Sequence, residues 1–170
     1  MHTMKQALFP SQAILAAFGL LTLAGGCSPA VSEAPHQATQ TQATHPESGL
    51  AVIPLSVTSA QGKHPFRVEL ANSRFEQAKG LMFRTQMGVD EGMLFPLDPP
   101  RPASFWMKNT VIPLDIIFIG GNRRVLNVAA NTVPYSEDPI PSAGDASAVL
   151  ELVGGSAAQL GIAAGDKVSW

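Results

Sequence analysis

Leu114-Asp115-Ile116-Ile117-Phe118-Ile119 is the stretch whose reading decides the fold of this chain. Its residues are apolar with one exception, and they do not alternate with polar ones, as expected of a central strand buried on both faces. Gly120-Gly121-Asn122 follows as a turn and leads into Arg124 to Ala129, the return strand of a hairpin. Asp115 is the exception, and an ionised carboxylate in such a run needs a partner.

Working outward, Val52 to Thr58 reads as a strand, and Gln61-Gly62-Lys63-His64-Pro65 as a turn through its glycine and proline. In Phe66 to Ala71 the pattern alternates, with Phe66, Val68 and Leu70 inward and Arg67 and Glu69 outward. Ser73-Arg74-Phe75-Glu76 fits a capping box for a helix from Arg74 to about Lys79, ended by Gly80. Gly92 to Phe95 is a short buried strand, stopped by an irregular, exposed loop from Pro96 to Pro102. Ser104 to Thr110 reads as a further strand, and Val133 to Gly144 as a polar loop. Ala148 to Val153 is a strand, Ser156 to Leu160 a helical turn closed by Gly161, and Lys167 to Trp170 a last strand. The sum is a single compact α+β domain over residues 51–170. It has a mixed or antiparallel curved sheet, or a small barrel, with one or two short helices.

Ahead of that domain the chain changes character twice. Ala13 to Ala24 is an apolar run shorter than the ~20 residues of a spanning helix, preceded by Lys5 and followed by Gly25-Gly26-Cys27. This pattern predicts a lipoprotein signal peptide over residues 1–26, cleaved before Cys27, whose sulfur and amine are acylated. Acyl chains on one residue make a stable membrane anchor. Ser28 follows the cysteine where an aspartate would resemble the inner-membrane retention signal, so the expected location is the outer membrane of a double-membrane bacterium, facing the periplasm. Residues 27–50 then read as the lipidated cysteine and a disordered tether of Ser, Pro, Ala, Gln, Thr and His, with too few large apolar side chains to offset ordering. His36 and His45 read as solvated tether residues.

Cys27 is the chain's single cysteine, so once it is acylated no thiol remains for disulfides, thiolate metal sites or nucleophilic catalysis. The formal net charge is -2, and Arg123-Arg124 is the longest basic cluster, which argues against nucleic acid as a partner. His64 is the sole histidine of the expected domain, so neither a histidine zinc site nor a Ser-His-Asp triad assembles. Met82, Met87, Met93 and Met107 read as packing residues rather than copper ligands. No metal and no cofactor is expected.

Gly80-Leu81-Met82-Phe83-Arg84, Glu91-Gly92-Met93-Leu94-Phe95, Phe105-Trp106-Met107-Lys108-Asn109-Thr110 and Ile112-Pro113-Leu114-Asp115-Ile116 together resemble the domain-of-unknown-function 192 family. Val149-Leu150-Glu151-Leu152, Gly161-Ile162 and Gly165-Asp166-Lys167-Val168 continue the likeness from about Pro65 to Trp170. The resemblance implies an α+β fold with a strongly curved sheet and no established reaction.

Function must then be sought in the residues' own chemistry. Alternation along the strand expected at Ser104 to Thr110 puts Trp106 and Lys108 on one side, close enough for a cation over the indole. Lys108 and Arg84 are the obvious partners for Asp115. Arg84, Trp106, Lys108, Asn109 and Asp115 thus form a candidate pocket with an aromatic platform, cations and an amide, suited to a small polar, anionic or sugar-like ligand. In the competing structural reading, Asp115 and Lys108 are a buried pair, Asn109 caps the turn before Pro113 and Trp106 fills a groove. The leading functional expectation is a lipid-anchored periplasmic binding or accessory module. The alternative is an enzyme acting on envelope carbohydrate or peptide through Asp115 with Glu151, or through Lys108 activating Ser104 or Thr110.

Overall fold

The structure, a computed structural model, describes residues 43–170. The expected leader over residues 1–26, the lipidation site Cys27, His36 and the tether as far as residue 42 lie outside the described residues. In chain order the elements are β1 (Val52–Ser59), β2 (Gly62–Leu70), α1 (Arg74–Lys79), β3 (Glu91–Phe105), β4 (Leu114–Gly120), β5 (Val125–Ala129), β6 (Ile140–Val153), α2 (Ser156–Leu160) and β7 (Lys167–Ser169). The strands form a single mixed sheet in the order β5-β4-β6-β3-β2-β1-β7. β2 and β3 pair in parallel, and the remaining neighbours pair antiparallel.

Every residue of β4 is buried, as its unbroken apolar run requires. Successive side chains enter two different cores. Ile117 and Ile119 join Val57, Val68, Leu150 and Leu152 inside the curl of the sheet. Leu114, Ile116 and Phe118 join Met93, Phe95 and Met107 on the outer face. The curl brings the two edge strands together at one end. Arg124 and Lys167 form an isolated bridge, and the amides of Val125 and Val168 donate to the carbonyls of Asp166 and Arg123 at 2.9 and 2.8 Å. The domain is a curled half-barrel with two short helices.

Several local expectations hold. α1 carries the full capping box between Ser73 and Glu76 and ends at Gly80, and α2 covers Ser156–Leu160 with Gly161 in the left-handed conformation at its end. The Gly120-Gly121-Asn122 turn joins β4 to β5 as a hairpin.

Others are corrected. The β1–β2 reversal is tighter than a turn over Gln61 to Pro65, because Gly62 already pairs with Ser59 and Pro65 with Ser56. Proline is tolerated there because β3 joins β2 only from Arg67 onward, leaving an edge at Pro65. Pro96 to Pro102 does not end β3. The strand continues to Phe105 with two register shifts against β6, and past Leu94 its other side has no β2 partner to demand regular hydrogen bonds. The strand expected over Ser104 to Thr110 stops at Phe105. Trp106 and Met107 leave the sheet, and the Met107 amide donates to the Ser136 carbonyl at 2.8 Å. β6 in turn begins at Ile140, inside the expected polar loop, because Pro141 and Ile140 pair with Ser104 and Phe105.

Ordered structure also reaches further toward the N-terminus than the expected boundary at Ala51. Thr44 bridges to Ala51, and the Val52 amide donates to the Ala43 carbonyl at 2.7 Å. His45, read as a solvated tether residue, lies 3.7 Å from Glu69. Glu69, read as outward and exposed, is 3% exposed. Alternation assigned it to the outer face correctly, but this turn and Arg84 cover that face.

Candidate functional site

Three loops meet above the outer face of the sheet, and an unusual backbone holds them there. Phe83, Asn109 and Tyr135 are non-glycine residues with φ of 64°, 55° and 61°, a left-handed conformation that costs an L-residue roughly 1–2 kcal/mol. The Phe83 amide donates to the Asn109 carbonyl at 2.8 Å and the Tyr135 amide to the Thr110 carbonyl at 3.2 Å. The strained positions are thereby tied to one another, and strain of this kind gathers where a surface is shaped for use. Around them Phe83, Val133, Tyr135 and Trp106 are exposed.

Beside this junction lies a cleft of about 370 Å³ between the segment Gln77 to Met82 and the segment Arg101 to Trp106. Gly80 turns the chain over the Phe95 ring at the end of α1 with φ of 47°, a conformation that side chains other than glycine's rarely adopt. Leu81, Phe95, Leu97 and Phe105 line the apolar interior, and Lys79, Arg101 and Lys108 carry the charge. Phe105 is fixed by edge-on contacts with Phe95 and Phe118, with centroids 5.2 and 6.0 Å apart. The Lys108 ammonium stands 5.1 Å above the Trp106 ring and 3.6 Å from the Glu137 carboxylate. The cation–indole pairing read from sequence is present, although a turn rather than a strand sets it up.

The floor of the cleft is Glu151, on β6. It is 5% exposed and faces outward beside Met93 of β3 and Ile116 of β4, its register partners. Burial pushes its carboxyl up to about 8, with no hydrogen bond acting against that shift. No buried side-chain oxygen or nitrogen of the described residues is both sealed off and unbonded, so the Glu151 carboxyl opens on the cleft. Sequence reasoning named Glu151 as a possible acid but left it out of the pocket. The signal was the same as for Asp115, a single acid in an apolar strand.

Of the residues expected to converge, Trp106 and Lys108 line the cleft. Asn109 sits in the turn behind them, where its amide approaches the Met82 sulfur at 3.8 Å. Arg84 is elsewhere: its guanidinium clamps Glu69 through two contacts of 2.9 and 3.1 Å and reaches Glu47 at 2.9 Å. Asp115 has neither Lys108 nor Arg84 as partner. It is fully buried on the inner face, where its carboxylate accepts from the amides of Asn131, Gly155 and Ala157 at 2.6, 3.0 and 2.6 Å. The expected Asp115–Lys108 pair fails because Asp115 points into the curl, while Lys108 lies over the outer face.

The same register separates the two acids of the enzymatic alternative. Asp115 pairs with Leu152 and Ile116 with Glu151, so Asp115 and Glu151 face opposite sides of the sheet and cannot act on one bond. The Lys108 side chain is 41% exposed and shares a carboxylate neighbour, the reverse of the desolvation that makes a lysine a base. His64 lies 2.9 Å from the Ser59 hydroxyl, but that hydroxyl donates to the Leu160 carbonyl at 2.7 Å, which leaves no proton for the histidine to take.

The family model DUF192, described as "Uncharacterized ACR", matches residues 56–170, and the chain belongs to that family. A crystal structure of a protein of unknown function from Novosphingobium aromaticivorans DSM 12444 is 57% identical. It covers 86% of this chain and 100% of its own, with a TM-score of 0.75. A protein from Sinorhizobium meliloti 1021, named a candidate transcription regulator, is 39% identical, covers 71% of this chain and 94% of its own, and gives a TM-score of 0.68. No curated protein matches.

Proposed function

We propose that the protein is a lipid-anchored periplasmic binding module, held in the outer membrane by acyl chains on Cys27, whose small ligand occupies the cleft above Glu151. The observation that carries the reading is the carboxyl of Glu151, a residue 5% exposed, which has no hydrogen bond from the described residues and lies at the floor of a cleft lined by both polar and apolar side chains. Water can reach this carboxyl through the cleft, so a ligand that bonds it gains the net worth of a hydrogen bond, about 0.5–1.5 kcal/mol, or about 1.5–3 kcal/mol where one partner is charged. The cleft's size falls within the ~300–1,000 Å³ of small-molecule sites. Among its polar groups, Glu151 lies below and Lys108 stands against Trp106 at the mouth. A regulator's role on nucleic acid, as in the name of the S. meliloti relative, is not favoured by a net charge of -2.

A thermal-shift screen of the full chain against periplasmic metabolites and glycans tests the reading. A stabilising hit should weaken in Glu151→Gln and in the double variant Trp106→Ala/Lys108→Ala. Hits that all survive these substitutions unchanged would move the site elsewhere. The anchor has its own test: a radioactive fatty acid should label the wild type and not Cys27→Ala.

A further inference from the structure

Resting on the cleft as a ligand site, we infer that it takes a small apolar zwitterion, an amino acid or short peptide, held by its ammonium at Glu151 and its carboxylate at the cations of the mouth. The polar lining changes along the cleft, from the ionisable acid Glu151 at the floor to the cations Lys79, Arg101 and Lys108 around the opening, with Leu81, Phe95 and Phe105 between them. A neutral polyol could bond Glu151 but would leave those cations unused. A simple anion would stop at the mouth, and a simple amine would have to pass three like charges. A molecule with both charges matches both ends, and an apolar side chain suits the phenyl walls. The bond to Glu151 is the strong one, since a charge-assisted hydrogen bond in a desolvated site gains most.

Binding should also move a proton. The Glu151 carboxyl, raised to about 8 by burial, is protonated in neutral solution. An entering ammonium turns it into a carboxylate, so the carboxylic acid and the ammonium become an ion pair and one proton leaves to solvent. The groups around Glu151 are few. β3 and β4 set Met93 and Ile116 beside it, the end of α1 brings Lys79, the far part of β3 Arg101, and the loop after β3 Lys108, which faces Glu137. Asp115 is on the other face. Affinity should therefore rise with pH toward about 8 and fall again as the ligand's own ammonium loses its proton.

The test is calorimetry on the full chain in detergent with L-phenylalanine, 2-phenylethylamine, 3-phenylpropanoate and 2-phenylethanol, at pH 7 in two buffers of different ionisation enthalpy. L-Phenylalanine is expected to bind at least about tenfold more tightly than the three others and to release about one proton. Glu151→Gln should remove the release and lower the affinity at least about tenfold, whereas Lys108→Met should bring L-phenylalanine toward the amine with the proton count unchanged. The proton count is read on the wild type and survives a variant that fails to fold. Equal binding of the propanoate or the alcohol, or L-phenylalanine binding without proton release, overturns the zwitterion. So does silence of all four probes while a Glu151-dependent hit from the wider screen persists, and in these cases the cleft remains a site. Silence of the probes together with an empty screen overturns both readings.

Discussion

Two acids occupy adjacent rungs of the β4–β6 ladder, Asp115 opposite Leu152 and Glu151 beside Ile116, and their donors make them different. Asp115 collects three backbone amides, whereas Glu151 has burial alone. The consequence for Glu151 is a pH-dependent strain on the fold. Its carboxyl sits at about 8 in the folded chain against 4.5 as the ordinary value, so between these pH values the folded state holds a proton that the unfolded state has lost. Stability from this group is complete below about pH 4.5 and declines as pH rises toward 8, by roughly 1.4 kcal/mol per unit and up to about 5 kcal/mol in all. Glu151→Gln, which cannot ionise, should gain on the wild type across that interval. Urea denaturation at pH 5 and pH 8 measures it, and a gap that does not widen with pH would contradict the account. Both acids were visible in the sequence as single charges in apolar runs. Which face each takes was not, because that depends on the β4–β6 register, and neither were the donors, because Asn131, Gly155 and Ala157 lie far along the chain from Asp115.

Among the elements, α2 shows how a remote side chain completes a short helix. Its N-cap is Gly155, which offers no side-chain bond, and Asp115 from β4 accepts from Gly155 and Ala157 in its place. α2 itself could be read from Ser156 to Gly161, whereas its cap could not, since local pattern carries no information about a partner that folding brings in. α1 is the opposite case, legible to the residue because Ser73 and Glu76 cap it from within. Asp115→Ala should cost about 3–5 kcal/mol by leaving buried amides unpaired, with Asp115→Asn intermediate because an amide has one acceptor oxygen. A loss below about 1 kcal/mol in the denaturation midpoint of the alanine variant would mean that other acceptors replace it. The strand misread at Ser104 to Thr110 has a related cause. Its alternation is real as far as Phe105, and Met107 stays buried, but the chain is pulled into a turn by the carbonyl of Ser136.

At the scale of the whole molecule, the curl of the sheet places the cleft and the seam, and neither follows from any single segment. The outer face is deep enough to hold Glu151 because loops from three parts of the chain roof it, and the strained residues that join them, Phe83, Asn109 and Tyr135, carry no sequence mark of that role. The seam depends on the last four residues. Val168 is fully buried, β7 pairs with Ser56 to Thr58 of β1, and the Arg123 guanidinium lies 3.4 Å from the centroid of the Trp170 ring. Stacking of this kind contributes about 0.5–2 kcal/mol, and the buried Val168 about as much again. Removing residues 167–170 should therefore open the seam while leaving β3, β4 and β6 paired. Hydrogen exchange followed by mass spectrometry should show faster exchange at β1 and at Arg123 to Val125, with the centre of the sheet still protected. The exposed edge of β1 should also promote self-association, visible by size exclusion. Trp170→Ala alone should loosen the Arg123 turn without freeing β1, because Val168 and the β1–β7 ladder remain. Equal exchange in the truncated and intact chains would show that the curl is held by the core inside it and that the seam only follows.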